Sequence, residues 1–148
     1  MQSVVKRFQD LTVEELYAIL RLRAEIFVVE QNCAYQDLDD IDQEAWHVYL
    51  KDGEDIVAYL RVIEKGKRLD EVSIGRVVSK YRRKGIGRQL MEIGKVVAKE
   101  QFRAKSVKIG AQIQAQPFYE KAGFVQTSGE YLEDGIPHVY MICELNEE

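Results

Sequence analysis

Residues 77–88 read Val77-Val78-Ser79-Lys80-Tyr81-Arg82-Arg83-Lys84-Gly85-Ile86-Gly87-Arg88. An apolar run ends in a turn rich in cations and glycine, and the turn leads straight into a helical stripe. A strand that leads straight into a helix is part of a strand–helix–strand unit, and such units mixed with hairpins argue an α/β domain. The first N–H groups of such a helix have no intrahelical partner, and the helix dipole adds partial positive charge. Glycine lets the backbone come close to an anion because no Cβ intervenes. Arg82, Arg83, Lys84 and Arg88 surround that point with cations in a chain whose net charge is −4. A diphosphate fits such a turn. The spacing is neither G-x-x-x-x-G-K-[ST] nor G-x-G-x-x-G, which excludes a P-loop and the dinucleotide fingerprint. An exposed basic turn before a helix is the reading that the glycines alone leave open. The strand in front and the helix behind favour the anion site.

The whole 148-residue chain reads as one domain, 1–148, with no linker or repeat. Thr12 and Glu15 form a T-x-x-E capping box, and the stripe of Leu16, Ile19, Leu20, Arg23, Ile26 and Phe27 predicts a helix over 13–30. Residues 31–45 read as a solvated acidic loop. Its Asp37, Asp39, Asp40, Asp42 and Glu44 lack the glycine and glutamate of a calcium loop. Trp46, Val48 and Leu50 alternate as in a half-buried strand, and Lys51 to Glu54 turn the chain into a second strand at 56–63. A third strand is expected over 72–78, a helix over 87–102, a strand over 106–111 and a short helix over 115–122. Strands at 124–127, extending toward Leu132, and at 138–144 complete a mixed sheet.

Several functions are disfavoured. An acidic chain, pI near 5.4, with its cations in one turn argues against nucleic acid as partner. The sequence has no apolar run long enough to span a membrane, and the charges in Met1–Arg7 do not suit a signal peptide. Cys33 and Cys143 lack metal or redox spacing, so no metal is expected, and the reading is a cytoplasmic protein.

Arg82-Arg83-Lys84-Gly85-Ile86-Gly87 resembles the Q/R-x-x-G-x-G/A motif of the GCN5-related N-acetyltransferases, the GNAT family. Gln112 through Phe124 resembles the family's N-x-x-A-x-x-F-Y-x-x-x-G-F segment, with Gln112 where the pattern often has Asn. Phe27 to Tyr35, Ile74 to Val78 and Glu133 to His138 are similar to the ElaA-like branch, with Ala34 where that branch has proline. The resemblance implies the GNAT acyl-CoA N-acyltransferase fold, a mixed, mostly antiparallel sheet flanked by helices. It also implies acetyl-CoA as acetyl donor and a primary amine, small molecule or peptide, as acceptor. A homodimer is a family-level expectation.

By the same resemblance, the cofactor-binding residues are Val77, Val78, Ser79, Arg82, Arg83, Lys84, Gly85, Ile86, Gly87, Arg88, Gln112 and Phe118. Val78 is expected to offer its backbone N–H to the developing oxyanion, and Tyr119 to protonate the departing thiolate. A phenol with a pKa near 10 is protonated at neutral pH and can do so. His138 and Glu30 are the substrate-side candidates. His138 reads either as a proton acceptor or as a structural histidine. Glu30, Asp39 and Glu71 are carboxylate alternatives, and ordered water could replace any base. The acidic loop at 37–44 is expected to attract a cationic amine. Direct transfer is expected over an acetyl-cysteine route, since neither cysteine has an activating neighbour in sequence. A non-catalytic acyl-CoA-binding module is the alternative function.

Overall fold

The structure is a computed structural model that describes residues 1–31, 36–81 and 85–145. In chain order the elements are β1 (Gln2–Arg7), α1 (Val13–Arg23), a π-helical continuation (Ala24–Glu30), β2 (Trp46–Asp52), β3 (Asp55–Ile63), β4 (Ser73–Ser79) and α2 (Ile86–Phe102). There follow β5 (Ser106–Gln112), α3 (Gln116–Lys121), β6 (Val125–Gln126), β7 (Tyr131–Glu133) and β8 (Ile136–Glu144). One sheet runs β1-β2-β3-β4-β5-β8-β6, with β7 also on β8. Every pair is antiparallel except β4 with β5.

The capping box forms as the spacing predicts: the Thr12 N–H donates to Glu15 Oε1 at 2.8 Å and the Glu15 N–H to Thr12 Oγ1 at 3.0 Å. The helix it starts is α-helical only to Arg23 and then widens to π geometry, rather than running uniformly over 13–30. Alternation suggested that β2 was half-buried, yet His47 and Tyr49 are as buried as Val48 and Leu50. The reason is a core on each face of the sheet. Ile19 and Leu22 of α1 pack with Tyr49 and Tyr59, while Leu90, Met91 and Val97 of α2 pack with Leu50 and Leu60. At Gly94 a Cβ would stand 3.0 Å from Leu60 and 3.2 Å from Ile74, so the missing side chain sets how closely α2 approaches.

Two strands differ from expectation. β1 was not anticipated; it is a largely exposed edge strand that shows no apolar alternation. The expected 124–132 strand divides into β6 and the separate β7, which pair with different parts of β8.

The acidic loop is the largest correction. Asp37 and Asp42 are buried, and together with Asp39 they face arginines, while Asp40 is exposed. The Arg23 side chain, wholly buried, donates to Asp37 Oδ2 at 3.0 Å and Asp42 Oδ1 at 2.8 Å. Arg61, equally buried, reaches Asp42 at 2.9 Å and Asp39 at 2.5 Å. Arg76 lies 2.8 Å from Asp37 and 3.3 Å from Asp39. Burial alone would raise the Asp39 and Asp42 pKa values, but their arginine partners hold both below the ordinary aspartate range.

Candidate active site

β4 and β5 meet at a single point. Ser73 is opposite Lys108, whose N–H donates to the Val72 carbonyl at 3.0 Å. Beyond it β5 pairs along its length with β8, and β4 stays with β3, so the two parallel neighbours part. A bulge in β4 accompanies the split. Tyr59 is opposite Val78 and Arg61 opposite Gly75, which leaves Leu60 facing both Arg76 and Val77. Arg76 is left-handed, with φ 51°. Bulges of this kind bend a strand and re-aim its groups.

The ladder determines which backbone groups the opening receives. The Lys80 N–H donates to the Val57 carbonyl at 2.8 Å. Antiparallel pairing alternates, so Val78, two residues earlier and opposite Tyr59, turns its N–H and C=O toward β3. The Val78 N–H therefore does not face the opening, contrary to the expectation for an oxyanion donor. The same alternation turns the Arg76 N–H, the Val77 carbonyl and the Ser79 N–H away from β3 and into the split. Arg76 lies in the segment Ile74 to Val78 that resembles the ElaA-like branch, but the direction of its N–H comes from a bulge that only the pairing reveals.

At the far end of the split lies the start of α2. Gly85 caps it at φ 70°, ψ 7°, and a Cβ there would meet no atom within 4 Å among the described residues. Gln89 makes the first helical bond, to Gly85, which places the N–H groups of Ile86, Gly87 and Arg88 ahead of the ladder. The second glycine serves packing instead: a Cβ at Gly87 would lie 3.2 Å from the Phe118 ring. Ile86 points its side chain into the core. Arg88 is exposed, 3.8 Å from Glu92. Arg82, Arg83 and Lys84, like Cys33, lie outside the described residues.

A cavity of about 210 Å³ opens beside the split, lined among others by Phe27, Ser73, Arg76, Tyr119, Glu133 and His138. Tyr119 on α3 is held edge-on by Phe118 and Phe124, with ring centroids 5.1 and 5.7 Å away. Its hydroxyl has no hydrogen-bond partner among the described residues, and burial pushes its pKa above the ordinary tyrosine value. His138 on β8 has Nδ1 2.7 Å from the Ile136 carbonyl and Nε2 3.6 Å from Glu133 Oε2. Because a carbonyl only accepts, Nδ1 carries the proton in the neutral ring and Nε2 keeps its lone pair. Arg68 reaches the same Glu133 carboxylate at 3.2 Å. Gln112 also lines the cavity and donates to Gln31 Oε1 at 3.2 Å. Glu30 is exposed at the end of the π-helical segment and is not a lining residue. Glu133 belongs to the segment that resembles the ElaA-like branch, whereas nothing local singles out Tyr131, which the sequence places in an extension of the preceding strand.

A family model described as an acetyltransferase (GNAT) domain matches residues 9–145. The chain belongs to the GNAT acetyltransferase family. This GNAT domain is 43% identical to a UPF0039 protein of Schizosaccharomyces pombe over 98% of both chains. It is 39% identical to Protein ElaA of Escherichia coli over 92% of each. The crystal structure of Escherichia coli ElaA superposes with a TM-score of 0.89 at 37% identity, covering 97% of this chain and 100% of that one. An acyl-CoA N-acyltransferase from Pseudomonas aeruginosa superposes equally well, TM-score 0.89 at 39% identity, over 97% and 99%. The domain thus has the acyl-CoA N-acyltransferase fold and is an acyltransferase.

Proposed function

We propose that this GNAT domain transfers an acetyl group from acetyl-CoA directly to a primary amine, with Tyr119 as the acid that protonates the departing thiolate. The observation that carries the reading is Tyr119, a buried residue that lines the cavity beside the split in the sheet and whose hydroxyl has no hydrogen-bond partner among the described residues. The donor's diphosphate would meet the N-terminus of α2 over the open Gly85, and its amide-rich arm would pair with the Val77 carbonyl and Ser79 N–H. The acetyl carbonyl oxygen would then face the Arg76 N–H, which takes the role first expected of Val78. As the neutral amine attacks, the C–N bond forms and the C–S bond breaks. The thiolate takes the Tyr119 proton. The extra proton on nitrogen passes to His138 Nε2, where Glu133 stabilises the imidazolium.

Carboxylates for a cationic amine would come from Glu133 and Asp134 on the cavity wall, not from Asp37, Asp39 and Asp42, which face arginines. A cavity of about 210 Å³ favours a small amine or the tip of a lysine-like side chain. Direct transfer is supported by Cys143, which is buried in the core away from the cavity, where burial raises its thiol pKa.

Tyr119→Phe keeps the ring and removes the proton donor. We expect kcat for thiol release to fall roughly 10- to 1000-fold with acetyl-CoA Kd changed less than about threefold. Unchanged kcat would remove Tyr119 from the chemistry, and a large loss of donor affinity would make it a binding residue.

A further inference from the structure

The bulge that turns the Arg76 N–H into the split rests on an unfavourable conformation. Arg76 has φ 51°, a region that residues with a Cβ occupy rarely and that persists where surrounding structure enforces it. That structure is visible in the fold. Arg76 Nε lies 2.8 Å from Asp37 Oδ1, and Nη2 donates to the Asp37 carbonyl at 3.0 Å and to Asp39 Oδ2 at 3.3 Å. The aspartates are themselves fixed. Asp37 is held by Arg23 and Asp39 by Arg61, and both arginines are wholly buried and anchored further by Asp42. Loop 37–42 is therefore bolted to α1 and β3, and from there it grips one side chain in β4.

We propose that this loop is a positioning device: through the Arg76 guanidinium it holds residue 76 left-handed, so that its N–H meets the acetyl carbonyl. The inference rests on the acetyl-transfer reading. It makes Arg76 a residue with two parts, a backbone N–H at the reacting carbonyl and a side chain that aims it.

The glycine variant separates these parts, because glycine adopts positive φ without a Cβ penalty whereas alanine does not. Arg76→Ala should lower kcat about 10- to 100-fold with acetyl-CoA KM within about threefold. Arg76→Gly should recover at least about fivefold of that loss. Both variants remove the same guanidinium from Asp37 and Asp39, so any effect on the Arg23 and Arg61 pairs is common to the two. Nuclear magnetic resonance supplies a readout independent of turnover. The intraresidue amide–Hα contact at residue 76, short when φ is positive, should be strong in the wild type and weaker in Asp39→Asn and Arg76→Ala. Acetyl-CoA should shift the wild-type Arg76 amide. A glycine variant no more active than alanine, or a contact unchanged in Asp39→Asn, overturns the clamp. A wild-type amide that keeps its contact but ignores saturating acetyl-CoA overturns the acetyl-transfer reading instead, and with it the purpose of the clamp.

Discussion

Replacing Asp42 tests whether the buried ion network holds this fold together. Its Oδ1 accepts from Arg23 at 2.8 Å and from Arg61 at 2.9 Å, and both guanidiniums are fully shielded from water. Arg23, Arg61 and Arg76 face Asp37, Asp39 and Asp42, so the cluster is balanced at zero charge. Asp42→Ala leaves one positive charge uncompensated in the interior, a defect that costs about 3–5 kcal/mol. Asp42→Asn keeps an acceptor oxygen and should fall at the lower end. At roughly 2.1 cal/mol/K per residue, a domain of this length has an unfolding entropy of about 310 cal/mol/K, and the loss becomes a Tm drop of about 10–16 °C. Glu44→Gln is the internal control. Its partner Lys67 is 3.1 Å away, but their side chains are 43% and 54% exposed, and such pairs contribute about 0–1 kcal/mol. Scanning calorimetry at pH 7 should separate the two substitutions clearly. The gap should also narrow in acid. Asp42 titrates below its unfolded value, so its contribution is complete above about pH 4 and declines as pH falls through that range. An Asp42→Ala shift no larger than that of Glu44→Gln would refute the reasoning.

Gly85→Val meets no steric obstacle among the described residues but must adopt φ 70°, so calorimetric CoA affinity should fall at least about tenfold while the core stays packed. Gly87→Ala presses on the Phe118 ring from 3.2 Å and should cost about 1 kcal/mol of stability in denaturant titration. At Gly110 a Cβ would lie 2.6 Å from the Tyr131 hydroxyl, so Gly110→Ala should displace that cavity wall. The amine KM should rise several-fold with acetyl-CoA Kd unchanged; equal amine KM values would place the acceptor elsewhere. Glu15 accepts from the Thr12 N–H, Tyr49 and Lys6, bonds that outweigh burial and hold its pKa near about 2 against 4.5 unperturbed. A lowered pKa stabilises above the unfolded value, so melting temperature should decline from about pH 4.5 toward 2, and Glu15→Gln should flatten that slope.

What the sequence determined by itself was local. The Thr12–Glu15 capping box, the glycine turn before α2 and the context around Tyr119 are written in neighbouring residues, and their geometry follows from backbone chemistry within a turn or two. Tertiary structure decided what depends on distant partners. Asp39 looks like a solvated charge until Arg61 and Arg76, 22 and 37 positions away, are folded against it. β2 looks half-exposed until α1 and α2 cover both of its faces. The direction of the Val78 and Arg76 N–H groups depends on one extra residue in β4 opposite Leu60, a register that β3 sets and that no local pattern encodes. Backbone preference acts over a few residues, whereas charge desolvation and strand register act through space, so only the assembled sheet shows which groups face the site.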